Sequence, residues 1–203
     1  MIRNKPYLIG LTGGIACGKS NLTSALLSVG AVVIDADEIS RALTAPGGQA
    51  LPAIRAAFGD EVFEGDALNR QKLAGLVFFD AQALKKLNAI THPLIFAEMD
   101  RQTALFQAQP ALVLDVPLLF ETGADKRCDE IWCAYAPREV QLARLLQRGL
   151  SLDEAIRRID SQMPSEEKAR LSQHVIRTTG TKEESAAQAI ALWEGVLRRL
   201  TLV

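Results

Sequence analysis

Most of what is scarce in this sequence excludes something. Net charge is nearly absent: 23 Lys and Arg stand against 24 Asp and Glu, a formal charge of -1. No global basic field therefore points to nucleic acid. Cysteine is scarce too. Cys17, Cys128 and Cys133 are odd in number and lack metal-ligand spacing, so they read as reduced thiols of a cytoplasmic protein, not as a disulfide framework. Packing is the expected role of Cys17. Long apolar runs are missing. The first run, Tyr7 to Leu11, is far shorter than the roughly 20 residues a spanning helix needs. It also lacks the length and cleavage site of a signal peptide. No membrane segment, internal repeat, low-complexity stretch or obligate protein partner is evident.

What is present suits a compact globular domain: 203 residues, 48% hydrophobic and 23% charged, enough to bury a core without metals or disulfides. Tyr7 to Leu11 reads as a buried strand, Thr12 to Ser20 as a Gly-rich turn, Asn21 to Val29 as a helix and Ala31 to Asp35 as a second strand, which together make a βαβ-type unit. Gly30 suits the left-handed residue that ends a helix. From Ala36 to about Gln109 the pattern is mainly helical, interrupted at Pro46-Gly47-Gly48 and over Gly59 to Asp66. The α/β pattern then resumes. Ala111 to Asp115, Glu130 to Ala136 and Val175 to Thr179 read as strands. Pro137 opens a helix carrying Gln141, Arg144 and Arg148. Capping-box patterns at Ser151–Glu154 and Thr181–Glu184 open two more helices, the last running through Trp193. The expected fold class is α/β: a mostly parallel sheet with both faces covered by helices, and a helical excursion over one side of it.

Gly13-Gly14-Ile15-Ala16-Cys17-Gly18-Lys19-Ser20 matches the whole G-x-x-x-x-G-K-[ST] pattern, between a strand and a helix. Gly13 and Gly18 permit backbone angles and close approach that a Cβ would oppose. The loop N–H groups and the following helix N-terminus then face phosphate oxygens. Lys19 supplies a positive charge to the β and γ phosphates of ATP, and Ser20 a hydroxyl to Mg²⁺.

A P-loop establishes nucleotide binding, not the reaction. No N-K-x-D segment follows a later strand, as a GTPase would need, and a motor ATPase usually has a larger frame. A small kinase fits best. The second strand ends in Asp35-Ala36-Asp37, at the strand end that faces the ligand crevice in a doubly wound sheet. Either carboxylate could orient or deprotonate an attacking hydroxyl. The alternative is that Asp37 caps the next helix and Asp35 is a turn residue. Asp115 ends its strand like a Walker B carboxylate, which holds Mg²⁺. His92 is either a partner in the site or a cap before Pro93, which biases it away from helical angles. Arg144, Arg148, Arg157 and Arg158 line either a lid or a solvated helix face. His174 reads as structural, and Trp132 and Trp193 as core.

Gly10 to Ser20, Ile34-Asp-Ala-Asp37, His92-Pro93, Asp115-Val-Pro-Leu-Leu-Phe-Glu121, Arg144 with Arg148, and Arg158-Ile159 with Gln162 together resemble the dephospho-coenzyme A kinases. That family transfers the γ-phosphoryl group of ATP to the 3′-hydroxyl of dephospho-coenzyme A, the last step of coenzyme A synthesis. The resemblance implies one P-loop kinase domain over 1–203, a P-loop NTPase-type parallel sheet flanked by helices, with a nucleotide-binding core of 1–37 and 110–203, a helical substrate-binding insertion near 38–109 and a helical lid near 145–170. It implies Asp37 as base with Asp35 beside it, and Lys19 and Arg148 among the catalytic groups. ATP would rest on Gly13, Gly14, Ile15, Ala16, Cys17, Gly18, Lys19, Ser20 and Asn21. Substrate contacts would come from Thr12, Asp37, Arg70, His92, Asp115 and Leu118, and Mg²⁺ contacts from Ser20 and Asp115. The sequence departs from the family pattern in places. Ala16 stands where Gly is common, Cys17 where Ser is common, Asn69 where Asp is frequent and Thr178 where Asn is common.

Overall fold

The computed structural model describes residues 5–201. In chain order these are β1 (Tyr7–Gly13), α1 (Lys19–Ser28), β2 (Val33–Asp35), α2 (Ala36–Leu43), α3 (Leu51–Phe58), β3 (Phe63–Glu64), β4 (Ala67–Leu68), α4 (Arg70–Phe79), α5 (Ala81–Leu105), β5 (Ala111–Asp115), β6 (Glu130–Tyr135), α6 (Arg138–Gln147), α7 (Leu152–Asp160), α8 (Ser165–Leu171), β7 (His174–Arg177) and α9 (Lys182–Thr201). Two compact units result, divided at Ile34/Asp35 and at Leu105/Phe106. The division falls a few residues before the expected edges at both ends of the helical stretch.

The first unit is built on the sheet, whose strand order is β2-β5-β1-β6-β7. β1 lies at its centre, parallel to β5 and β6, and β6 is parallel to β7. Both faces of such a sheet are covered, so its strands are apolar throughout: every residue of β5 and all but the first of β1 are buried. Ile9, Leu11, Val113 and Trp132 share one core with Leu22 and Leu26 of α1 and with Ala189, Trp193 and Val196 of α9. The two tryptophans are thus core residues, as expected. The register places Leu11 beside Asp115 and Gly13 beside Ala134. The C-terminal ends of β1, β5 and β6 therefore lie together, where an open α/β sheet binds its ligand.

Local signals set the helix ends. α1 starts at Lys19, two residues before the expected Asn21, because Gly18 takes φ 78° and turns the chain into the helix. Gly30 follows its end at φ 82°, the left-handed closure that favours glycine. Ser151 accepts from the Glu154 N–H at the start of α7. The box at Thr181 is reciprocal: Thr181 N–H donates to Glu184 Oε2 at 2.9 Å and Glu184 N–H to Thr181 Oγ1 at 3.1 Å. α9 then runs eight residues past Trp193, to Thr201.

The second unit, from Asp35 to Leu105, is helical apart from a two-residue hairpin, β3 with β4, at the second expected interruption. α5 is its spine and packs on α2, α3 and α4. Pro93 lies inside α5. His92 is therefore helical, and the reading of it as a cap before proline is corrected. The packing of α5 overrides the bias against helix in the residue before a proline.

Candidate active site

Neighbouring side chains shape the phosphate loop as much as its glycines do. A Cβ on Gly13 would stand 2.6 Å from the Ala134 carbonyl oxygen of β6, and one on Gly14 would stand 2.3 Å from the Ser165 hydroxyl oxygen. Three loop carbonyls are tied to residues far along the chain. Gln141 Nε2 donates to Ile15 O at 2.7 Å, Arg144 Nη1 to Ala16 O at 3.0 Å and Thr178 Oγ1 to Cys17 O at 2.8 Å. In a trans peptide the next N–H points opposite to the carbonyl, so the ties at Ile15 O and Cys17 O turn the N–H groups of Ala16 and Gly18 away from Gln141 and Thr178, the polarity an anion site needs. Two N–H groups are engaged: Ile15 donates to Gln162 Oε1 and Cys17 to Gly14 O.

Ala16 sits at φ 60°, a left-handed conformation that costs an L-residue about 1–2 kcal/mol. The chain holds it there with the Arg144 and Thr178 bonds to the carbonyls of residues 16 and 17. Glycine would adopt this backbone angle without strain. Cys17 is fully buried, with Sγ 3.3 Å from Ser165 Oγ, a packing role as expected.

Lys19 Nζ pairs with Asp115 Oδ1, and the Thr23 hydroxyl donates to Asp115 Oδ2 at 2.6 Å. The Asp115 side chain is 3% exposed. Ser20 is exposed on the first turn of α1. A cleft of about 530 Å³ opens beside the loop, lined among others by Gly18, Ser20, Asn21, Arg148, Thr178 and Lys182. The Thr12 hydroxyl donates to Pro117 O at 3.0 Å, while Leu118 is exposed.

The arginines divide into two kinds. Arg144 is not available to a lid: its guanidinium is bonded to Ala16 O, Thr178 Oγ1 and Thr178 O. Arg148 caps the C-terminus of α6 and is exposed, and Arg157 and Arg158 are exposed on α7, with Arg158 paired to Glu154 at 2.7 Å. Within the stretch expected as a lid, α8 packs instead against β1 and β6 and buries Ser165 and Lys168.

In the helical unit, Asp35 is the N-cap of α2. Its Oδ1 accepts from the N–H groups of Asp37 at 2.7 Å and Glu38 at 3.0 Å. The alternative that Asp37 caps the helix is thereby corrected. Asp37 is exposed in the first turn, where the helix dipole favours its negative charge. Arg70 starts α4 and donates through Nη2 to Arg41 O at 3.0 Å and Thr44 Oγ1 at 2.8 Å. The His92 ring lies 6.1 Å from that of Phe96, one turn along α5. Burial pushes its pKa down from the ordinary histidine value, favouring the neutral imidazole.

The model of the dephospho-CoA kinase family matches residues 7–184. The chain belongs to the dephospho-CoA kinase family. The dephospho-CoA kinase of Geobacter metallireducens is 45% identical, covering 92% of this chain and 95% of its own. A solved structure from Thermus thermophilus is 33% identical with a TM-score of 0.84, covering 94% of this chain and 97% of the other. The dephospho-CoA kinase structure from Campylobacter jejuni is 29% identical with a TM-score of 0.70, covering 93% and 96%. The fold is accordingly that of a P-loop kinase. The chain is an ATP-dependent kinase of dephospho-CoA, acting in the final step of coenzyme A synthesis.

As a dephospho-CoA kinase it carries polar groups that sequence reasoning passed over. Thr23 lies one helical turn beyond Lys19, a spacing that could have marked it. Gln141 and Gln162, both noticed only for their place in the chain, hold the backbone of Ile15 from either side. Lys168 gave no signal at all, because nothing local shows that a lysine in a short, charged helix will be fully buried.

Proposed function

We propose that Asp37 orients or deprotonates the 3′-hydroxyl of dephospho-CoA, while the phosphate loop and Lys19 hold the γ-phosphoryl group that it attacks. Asp35 then acts through the backbone, fixing the first turn of α2 on which Asp37 stands. ATP rests its phosphates on Gly13 to Ser20, with its nucleoside end toward Asn21 and the cleft that Thr178 and Lys182 line. Lys19 exchanges Asp115 for phosphate oxygens as the nucleotide binds. Arg148, exposed at the end of α6, closes on the transferring group. Thr12, Arg70, His92, Asp115 and Leu118 serve as contacts to dephospho-CoA. The Lys19–Asp115–Thr23 cluster carries this reading. It sets a cation, a buried carboxylate and the N-terminus of α1 at the strand ends where phosphates bind.

The residues present suit Mg²⁺. Ser20 and Asp115 offer hard oxygen donors, and among the described residues no group of three or more His, Cys, Asp or Glu side chains could hold an ion. Mg²⁺ is usually held by one or two carboxylates together with substrate phosphates, which matches so sparse a set. When bound it would neutralise charge on the β and γ phosphates. The three free thiols suit a reducing compartment such as the cytoplasm. Among the described residues no helix is long and apolar enough to cross a membrane.

The test is ADP release from purified protein with ATP and Mg²⁺, with dephospho-CoA, AMP, UMP or adenosine as acceptor. Stimulation by dephospho-CoA alone, with coenzyme A as product, is expected. Stimulation by a nucleotide or nucleoside instead would overturn the acceptor assignment.

A further inference from the structure

Lys168 is a buried charge that the proposed chemistry does not use. Its side chain is 0% exposed, yet it sits on α8 against the two strands that flank the site. Burying an ammonium is costly unless it is paired and hydrogen-bonded, and an apolar side chain of similar volume often does as well or better for stability. The partners show what the charge fixes. Lys168 Nζ donates to Pro117 O at 2.7 Å and pairs with Glu121 Oε1 at 2.8 Å. Both acceptors are shared. Pro117 O also receives the Thr12 hydroxyl at 3.0 Å, from the end of β1 just before the phosphate loop. Glu121 Oε1 also receives the Met163 N–H at 3.0 Å. Met163 follows Gln162, whose Oε1 accepts from the Ile15 N–H inside the loop.

The ammonium bonds one segment directly, and its two acceptors join three: the end of β1 through Thr12, the loop that follows Asp115, and the turn that joins α7 to α8 through Met163. The first leads into the phosphate loop, the second follows the carboxylate paired with Lys19, and the third ends the helix carrying Arg157 and Arg158. Two neighbouring contacts secure the same corner. The Ser165 hydroxyl fills the space a Cβ on Gly14 would take, and Gln141 holds Ile15 O.

We infer that Lys168 is a positioning residue for phosphoryl transfer: by bonding Pro117 O and Glu121 together, it sets the phosphate loop, the loop after Asp115 and the base of the arginine-bearing helix α7 in one register. Lys168 touches no reacting atom in this account and acts through the backbone it holds. The inference rests on the site reading above, in which those three segments surround the phosphates.

The test compares K168M, close in volume but uncharged, with E121A, which keeps the lysine and its bond to Pro117 O but removes both its carboxylate partner and the tie to Met163. Each is assayed well below its melting temperature, so that the folded fraction is the same as in wild type. Displacing catalytic segments by about an ångström costs up to roughly 100-fold in rate. The expectation is therefore a fall in kcat of about tenfold or more for K168M, with KM for ATP changed less than about threefold. The share of ATP hydrolysed without transfer to dephospho-CoA should rise, because α7 no longer closes in register. E121A should move kcat and that share the same way by a smaller factor. A purely structural lysine would lower the melting temperature and leave kcat per folded molecule and the coupling of hydrolysis to transfer at wild-type values, and that result overturns the inference. If K168M does not fold, unchanged kcat and coupling in E121A overturn it equally. A failure of the site reading itself would show in the wild-type acceptor assay, whereas a failure of this inference would show only in the variants.

Discussion

The polar contacts of the two units differ in reach. In the sheet unit they join residues far apart in sequence: Lys19 to Asp115 across 96 positions, Ile15 to Gln162 across 147 and Cys17 to Thr178 across 161. In the helical unit, the contacts that place candidate residues span fewer positions, from two for Asp35 to 29 for Arg70. Asp35 caps its own helix two and three residues on, Asn69 accepts from the Lys72 N–H, and Arg70 reaches back only to Arg41 and Thr44. A phosphate site has to hold its geometry against a concentrated charge, so it is braced from several parts of the chain. The side chains assigned to the acceptor need only a helix turn to stand on.

The sharpest way to break that comparison lies in the Asp35/Asp37 pair. If Asp35 is a cap and Asp37 the base, Asp37→Asn should lower kcat by about 10²–10⁴-fold, as loss of general acid–base help does. Asp35→Asn should retain most activity, because Asn caps a helix about as well as Asp. Steady-state turnover of the two variants side by side decides it, and equal, near-wild-type values would sink the base assignment. Lys19 comes next. Lys19→Met should cost about 10²–10³-fold in kcat/KM, comparable to losing one fixed donor at developing charge. It should also leave buried Asp115 without its cation, so a fall in melting temperature is expected with the loss of rate.

Far from the loop, at the start of β6, Glu130 tests bracing in the same unit without chemistry. Burial alone would push its pKa up. Hydrogen bonds from Trp132, Arg199 and Tyr7 outweigh that and hold it below the ordinary carboxylate range. A carboxyl with a depressed folded pKa adds stability above its unfolded pKa and loses it as pH falls through the folded one. Glu130→Gln should therefore cost about 1.5–3 kcal/mol near neutral pH, the scale of hydrogen bonds to a charged group. The gap from wild type should close as the pH is lowered below the ordinary carboxylate range, read from melting temperatures across pH. The smallest effect belongs to Ala16. Ala16→Gly removes the strain at φ 60° but frees the unfolded chain by about 0.4–1 kcal/mol. A net gain of about 0–1.6 kcal/mol is expected, visible in denaturant midpoints. A loss of stability would mean that the alanine Cβ packs better than its backbone angle suggests.

Much of this was legible in the residue order. The strand, glycine turn and helix around Lys19 announce a phosphate loop, and the capping boxes at Ser151 and Thr181 mark their helices. These features depend on neighbours within a few positions. For His92 the capping alternative failed, where a local rule about proline met a helix packed on three others. Asp35 and Asp37 were both visible, but which one caps the helix depended on the residue at which α2 begins.

By itself the sequence determined the P-loop, the alternation of strands and helices, and through several spaced motifs the family, because each lies in short-range pattern. Only the tertiary structure decided which side chains hold that loop. Arg144 turned out to bind its backbone, Thr178 to clasp Cys17 O, and Lys168 to lie fully buried between Pro117 and Glu121. The reason is physical. A side chain's partners are set by which strands lie adjacent and which helix covers them, and no local pattern encodes an ion pair that closes across many tens of residues.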